Sequence, residues 1–338
     1  MSPSRPRGNK PRIHDVARLA GVSLMTVSRT MRGSESVTPE TRRRVQDAAR
    51  SIGYVPDRAA GALKAGTGNL VGAIMPNIHN ILFAEMLQGL GDGLNSHALA
   101  LSVGISRRSR AEERRLVGEF LAMRPCGIVL HDTQHLPETR ARLQDAGIPI
   151  VELGDLPRNP IDMAVSFSNR AAARAVTTHL IGRGYRRIAF VSIPFRSSTS
   201  SRLRMAGYRD ALRAAGLPFD EDRVIETPGG YPEAEVALDS LWRITPRPDA
   251  IFGASDVLAV GMLLAAQRRG ISVPRQLAVA GFDDHAVAGA ISPRLTSLSI
   301  PRYRMGATAA DAIVARIRGQ SMPAISDLGF ELIEGEST

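Results

Sequence analysis

A chain of 338 residues that is 43% hydrophobic and 22% charged has the material for a small head and a large body of packed layers. Its one cysteine, Cys126, excludes an intrachain disulfide and a cysteine-rich zinc site, and reads as a core residue. No stretch approaches the roughly eighteen apolar residues of a membrane span, and no apolar signal segment opens the chain, so a cytoplasmic location is expected. The net charge of +10 is unevenly placed, since residues 1–68 hold thirteen Lys and Arg against five Asp and Glu. A basic head of this kind suits a phosphate backbone.

In chain order, residues 1–11 carry Arg5, Arg7 and Lys10 among Pro, Ser, Gly and Asn, the composition of a flexible basic tail. Residues 13–31 predict two short helices about a turn. In Ala20-Gly21-Val22-Ser23 a residue tolerant of left-handed angles precedes a hydroxyl able to cap the next helix. Val16 and Ala20, with Leu19 beside them, and then Val27 and Met31, make stripes at helical spacing for a small core. Met25, Ser28 and Arg29 fall on the side of the second helix away from Val27, a side free to enter a major groove. A guanidinium there can pair bidentately with guanine, which makes Arg29 the leading base-reading candidate. Leu24 and Met25 offer apolar contact to a thymine methyl, although Leu24 also lies close enough to Val27 to complete the core. Ser23, Thr26 and Ser28 suit phosphate contacts, helix caps or solvated helix positions. Thr38-Pro39-Glu40 starts a third helix ending near Ile52-Gly53, which carries Thr41, a further candidate DNA contact, and Arg42, Arg43 and Arg44.

Beyond residue 69 short apolar runs alternate with amphipathic stretches: 71–75 then 83–94, 99–105 then 111–123, 127–130, and 149–153. The rhythm resumes with 187–192, 223–227, 250–254 and 277–281. It predicts parallel sheets with crossover helices, in two doubly wound lobes rather than one sheet. Ligands of such folds lie beyond the carboxyl ends of strands. Those ends carry Phe83, His131-Asp132, Ser255-Asp256 and Asp283-Asp284. Phe83 could equally fill core, and His131 has no metal partners at useful spacing. Asp256 could serve as a helix N-cap and Asp283 as a turn acid. The run Ser200-Ser201-Arg202-Leu203-Arg204 is the strongest polar signal of the body; Arg202 reads as structural there. No catalytic constellation or cofactor motif is present. Gly89-Leu90-Gly91-Asp92-Gly93 lacks a phosphate-loop lysine, and the serine run 197–201 lacks the flanking glycines of a nucleophile elbow.

Asp15-Val16-Ala17, Ala20-Gly21-Val22-Ser23, Thr26-Val27-Ser28-Arg29 and Gly53-Tyr54-Val55-Pro56 together resemble the head of the LacI/GalR bacterial transcription regulators. The likeness continues more loosely through the rest of the chain. It implies a helix-turn-helix head over 12–56, a hinge helix and linker over 57–68, and a two-lobed periplasmic-binding-protein-like core over 69–338. The N-lobe would take about 69–169 and 300–328, the C-lobe about 170–299 and 329–338, with three chain crossings between them. In the hinge the resemblance implies that Leu63 wedges into a minor-groove base step, unstacking it to bend the duplex. The segment is too short for stable isolated helicity, and it carries Asp57 where many members have asparagine.

The same resemblance implies a homodimer on pseudo-palindromic double-stranded operator DNA, with a small-molecule effector in the interlobe cleft. Arg204 occupies the place of the arginine that bonds the effector, with Ser200 in the same stretch. Ser255, Asp256 and Asp283 occupy places for polar contacts, and Tyr231 the place of an aromatic against the ligand. Pro301-Arg302-Tyr303-Arg304-Met305-Gly306 and Asp327-Leu328-Gly329-Phe330 resemble regulators of gluconate utilisation within the family. That implies repression relieved by gluconate or a related sugar acid, its carboxylate held by Arg204 together with Arg302. A neutral sugar or a purine is the alternative, because the carboxylate of Asp283 would repel an acid.

Overall fold

The computed structural model describes residues 11–31, 34, 36–54, 68–78 and 81–338. Contacts divide the chain into two units, Met1–Gly68 and Asn69–Thr338, and each is described by itself.

The first unit holds α1 (Ile13–Ala20), α2 (Leu24–Met31) and α3 (Pro39–Ser51). Helix α1 stops where Gly21 turns left-handed at φ 61°, its N–H donating back to the carbonyls of Ala17 and Arg18. Two residues on, Ser23 Oγ accepts from the Thr26 N–H at 3.1 Å and starts α2, as the sequence predicts. Thr38 does the same for α3, with Pro39 at the first helical position. Val16, Ala17, Ala20, Val27, Val45, Ala48 and Ala49 form the core. Leu19, expected beside that stripe, is 57% exposed; Ala17 takes the place, being one helical turn before Ala20. The arginines of α3 divide. Arg44 donates to the Ala20 carbonyl at 2.9 Å, satisfying an acceptor at the end of α1, and Arg42 donates to the Ser34 carbonyl at 2.8 Å, while Arg43 stays exposed. Residues 55–67 lie outside the described residues, and with them Leu63 and all but Gly68 of the hinge and linker expected over 57–68.

The second unit opens with β1 (Leu70–Met75), α4 (Ile81–Asn95), β2 (Ala100–Ile105), α5 (Arg110–Ala122), β3 (Gly127–Leu130), α6 (Pro137–Asp145), β4 (Ile150–Glu152) and β5 (Met163–Ser166). It continues through α7 (Asn169–Gly182), β6 (Ile188–Ser192), α8 (Thr199–Ala214), β7 (Val224–Glu226), α9 (Tyr231–Trp242), β8 (Ala250–Gly253), α10 (Asp256–Arg268), β9 (Ala278–Ala280) and α11 (Ala286–Ala290). It closes with β10 (Ser297–Ser299), α12 (Arg302–Ile317), β11 (Ile325–Asp327) and β12 (Glu331–Ile333). Two parallel sheets result, in the orders β11-β5-β4-β3-β1-β2 and β7-β6-β8-β9, with β10 and β12 as an antiparallel pair. The chain passes between the sheets after β5, before α12 and after β11. Strands β3 and β6 are buried at every residue, the mark of parallel strands covered on both faces. Cys126 lies in the core, its thiol donating to the Leu70 carbonyl at 3.3 Å.

The glycine run in α4 has a packing role. A Cβ on Gly89 would stand 2.1 Å from the Tyr303 carbonyl oxygen, and one on Gly306 would stand 1.9 Å from that of Met86. Helices α4 and α12 therefore meet backbone to backbone, and a side chain at either glycine would force them apart.

Candidate functional site

Helix α2 turns one face inward and one outward. Val27 and Thr30 are buried, and the Thr30 hydroxyl is engaged with the Thr26 carbonyl at 2.9 Å. On the other face Met25 is 61% and Leu24 39% exposed, so Leu24 does not complete the core. Arg29 is exposed beside them, and its side chain makes no hydrogen bond or ion pair among the described residues. Ser23 and Thr26 cap the helix through their own pair of hydroxyls at 2.9 Å, and Thr41 is bonded to the Thr38 hydroxyl at the same distance. The hydroxyls are thus ordered by local turns, and the unengaged side chains are Arg29, Met25 and Leu24.

In the body, polar residues converge from the carboxyl ends of both sheets. The ends of β2, β3 and β4 supply Arg108, then His131 and Asp132, then Gly154 and Asp155; the segment after β6 supplies Thr199 and Ser200. The cavity they line is about 10 Å³, room for a single water. His131 packs edge-on against Phe83, their ring centres 4.8 Å apart, which places Phe83 both in the core and against the site. Burial and then the charge of Arg108 hold the His131 pKa down at about 4, so the ring is neutral at physiological pH.

Arg204, projecting from α8, is largely buried and engaged at two of its three nitrogens rather than solvated at a helix start. Its Nε donates to Asn169 Oδ1 at 2.9 Å, its Nη1 donates to the Ala254 carbonyl at 2.5 Å, and its guanidinium carbon stands 3.6 Å from the Phe282 ring centre. Asp283 Oδ1 lies 3.9 Å from Nη2 and accepts no hydrogen bond among the described residues. Burial raises the Asp283 carboxyl to about 7 against the pull of Arg204. Burial also lowers the Arg204 pKa, against Asp283. The backbone at Asp283, with φ 115°, is one that side chains rarely adopt.

The remaining predicted residues sit differently. Ser255, not Asp256, is the N-cap of α10, accepting from the Leu258 N–H at 3.5 Å. Asp256 is fully buried with both oxygens engaged, Oδ1 by the Ser297 hydroxyl at 2.6 Å and Oδ2 by the His285 N–H at 2.6 Å. Burial raises its carboxyl to about 6 in spite of these donors. A Cβ on Gly281 would lie 2.1 Å from Asp256 Oδ1, so the acid is packed against bare backbone. Arg302 is buried at the start of α12, donating to the carbonyls of Asp283 and Ile300 and standing 3.6 Å from Glu85. It joins the crossing segment to the Asp283 turn rather than lining the cavity. Tyr231, 47% exposed at the start of α9, is not among the cavity residues.

Sequence reading missed three contributors. Arg108 enters the cavity only because Arg107 and Arg108 take positive φ, 52° and 60°, an excursion no motif announces. Gln134 Oε1 accepts from Arg110 at 3.0 Å and from Arg202, on the opposite lobe, at 2.7 Å, which ties the loop after β3 across the cleft. Behind that loop the imidazole of His135 is buried between Glu113 at 2.7 Å and Glu152 at 3.3 Å. Burial opposes its charge, but the two carboxylates outweigh it and raise the imidazole to about 9.

A helix-turn-helix head on a two-lobed body is what known proteins match. Residues 12–57 match the model of bacterial regulatory proteins of the lacI family, and residues 177–338 that of a periplasmic binding protein-like domain. The HTH-type transcriptional regulator GntR of Escherichia coli strain K12 is 35% identical over 97% of this chain and 98% of its own. The chain belongs to the LacI family. GntR of Pseudomonas aeruginosa is 37% identical over 97% of this chain and 96% of its own. Among solved structures, a LacI family regulator from Silicibacter pomeroyi superposes with a TM-score of 0.90 at 30% identity, covering 97% of this chain and 99% of that one. As a LacI family member the chain is a DNA-binding transcriptional regulator and not an enzyme. No helix of the described residues is long and apolar enough to cross a membrane.

Proposed function

We propose that this regulator is a homodimeric repressor of sugar-acid utilisation genes, released from a pseudo-palindromic operator by gluconate or a related sugar acid bound between its lobes. On the DNA, Arg29 reads a guanine and Leu24 and Met25 touch thymine methyls, while Ser23, Thr26, Ser28 and Thr41 orient the helices on phosphates. Leu63 takes the minor-groove wedge position that the family resemblance gives it.

The observation that supports effector control is the convergence of charged and hydroxyl side chains from both lobes on one nearly closed cavity. A six-carbon acid cannot enter 10 Å³, so binding requires the lobes to move apart, and the Gln134–Arg202 hydrogen bond lies across that movement. A ligand with different affinity for the two lobe arrangements shifts their populations, and the same difference couples the cleft to the operator. The likeness to regulators of gluconate utilisation supports a sugar acid; the unpartnered oxygen of Asp283 favours hydroxyl donors, whether from the polyol part of that acid or from a neutral sugar.

Thermal shift against sugar acids, neutral sugars and purines, followed by operator binding with each hit, tests the reading. A sugar acid should raise the melting temperature and release the operator. Stabilisation by neutral sugars or purines alone removes the sugar-acid assignment, and release by no compound removes effector control.

A further inference from the structure

Two arginines of the cleft, Arg204 and Arg108, are in opposite conditions. Arg204 has its Nε and Nη1 engaged by the protein and Asp283 3.9 Å from its Nη2, so a carboxylate placed on it would meet a second carboxylate. Arg108 lines the cavity with His131, Asp132, Thr199 and Ser200, is partly buried, and makes no hydrogen bond or ion pair among the described residues. A guanidinium carries five donors in a planar fork, and enclosing them unbonded is unfavourable unless an anion completes them.

The backbone holds this arrangement in place. Two successive left-handed non-glycine residues, Arg107 and Arg108, are unfavourable conformations that the surrounding structure must hold. Both ends of the turn are pinned: Ser106 N–H donates to the Met75 carbonyl at 2.8 Å, Ser109 N–H donates to the Ser106 carbonyl at 2.8 Å, and the Ser109 hydroxyl caps α5. Burial, opposed by the charge of Asp132, lowers the Arg108 pKa, as expected for a cation drawn toward an enclosed site. One Asp132 oxygen is already engaged by the N–H groups of Thr133 and Gln134, at 2.7 and 3.1 Å, leaving the other for a hydroxyl.

We infer that Arg108 grips the carboxylate of the effector, with the polyol chain running toward Arg204 and the open oxygen of Asp283. This rests on the proposal that the cleft takes a sugar acid, and it reverses the orientation that the sequence alone suggests. Arg108 then sets the preference for an acid over the matching neutral polyol, while Arg204 and Asp283 select hydroxyls.

Calorimetry of the full-length protein with gluconate and with glucitol, its neutral counterpart, tests the assignment. The variants are Arg108→Gln and Arg108→Asn, the second because asparagine tolerates the left-handed backbone; operator binding without ligand serves as the folding control. The parent should prefer gluconate, and both variants should lose about 10- to 100-fold of gluconate affinity with little change for glucitol. Undiminished discrimination in a variant that still binds operator overturns the role of Arg108 alone. A parent protein that ignores gluconate and other sugar acids overturns the assignment together with the reading beneath it.

Discussion

Arg29 and Arg204 are both the arginines one would choose for ligand contact, and the structure treats them oppositely. Arg29 stands exposed on α2 with its side chain unengaged among the described residues, so the proposed DNA contact uses no bond that holds the head together. Arg204 is buried against Phe282, Asn169, Ala254 and Asp283, so a ligand there competes with bonds the fold already makes. If the proposed roles hold, an exposed reader of DNA is separable from stability, whereas a largely buried effector residue is part of the core it sits in.

That contrast is broken or sharpened most strongly at Arg204 itself. Arg204→Ala strands Asp283 and empties space beside Phe282; removing one member of a buried pair typically costs about 3–5 kcal/mol. Denaturant unfolding should report a loss of that order together with loss of effector binding. A fully stable variant that merely stops binding would make Arg204 a pure ligand contact, like Arg29, and remove the distinction.

The buried charge of His135 gives the next largest effect. Its folded pKa of about 9 lies above the ordinary 6.5, so the stabilisation is complete below about pH 6.5 and is lost as pH rises through 9. Stability should fall by on the order of 2–3 kcal/mol between pH 7 and 10, a drop that His135→Gln should lack. A variant with the same alkaline decline would mean that the Glu113 and Glu152 contacts do not hold the proton. The loop that His135 anchors also carries His131 and Asp132 to the cavity, so this variant should weaken effector binding as well.

Arg29→Ala should lower affinity for the operator about 10- to 100-fold while relaxing preference at one base pair, with the melting temperature and effector affinity unchanged. Anisotropy on operator and single-base variants reads both quantities. Uniform weakening on every sequence would reduce Arg29 to a phosphate contact.

Much of this was legible in the sequence because it is local. The Gly21-Val22-Ser23 turn, the Thr38-Pro39 helix start and the alternation of apolar strands with helices depend on residues within a few positions of one another. The strand ends likewise announced His131, Asp132 and Asp283. What could not be read is what distant chain segments do to a side chain. Asp256 has the position of a ligand contact, but Ser297 and His285, far along the chain, engage both its oxygens. Arg108 lies at the cavity after two left-handed residues, a turn that no spacing in the sequence announces. A buried polar group is assigned by its partners, and partners are the part of the fold that spacing does not encode.

The smallest effect separates the arginines within the head. Arg44 reaches 24 positions back along the chain to the last carbonyl of α1, so Arg44→Ala removes one part-buried hydrogen bond at the turn on which α2 is set. The expected cost is about 1 kcal/mol, seen as a lower melting temperature of the head and weaker binding to all DNA sequences alike. Arg43→Ala, at an exposed neighbour, should leave stability unchanged and affect binding only through salt-dependent phosphate attraction. If the two variants prove equal in melting temperature, Arg44 acts only as surface charge, and Arg42, bonded to the Ser34 carbonyl, is left as the structural arginine of α3.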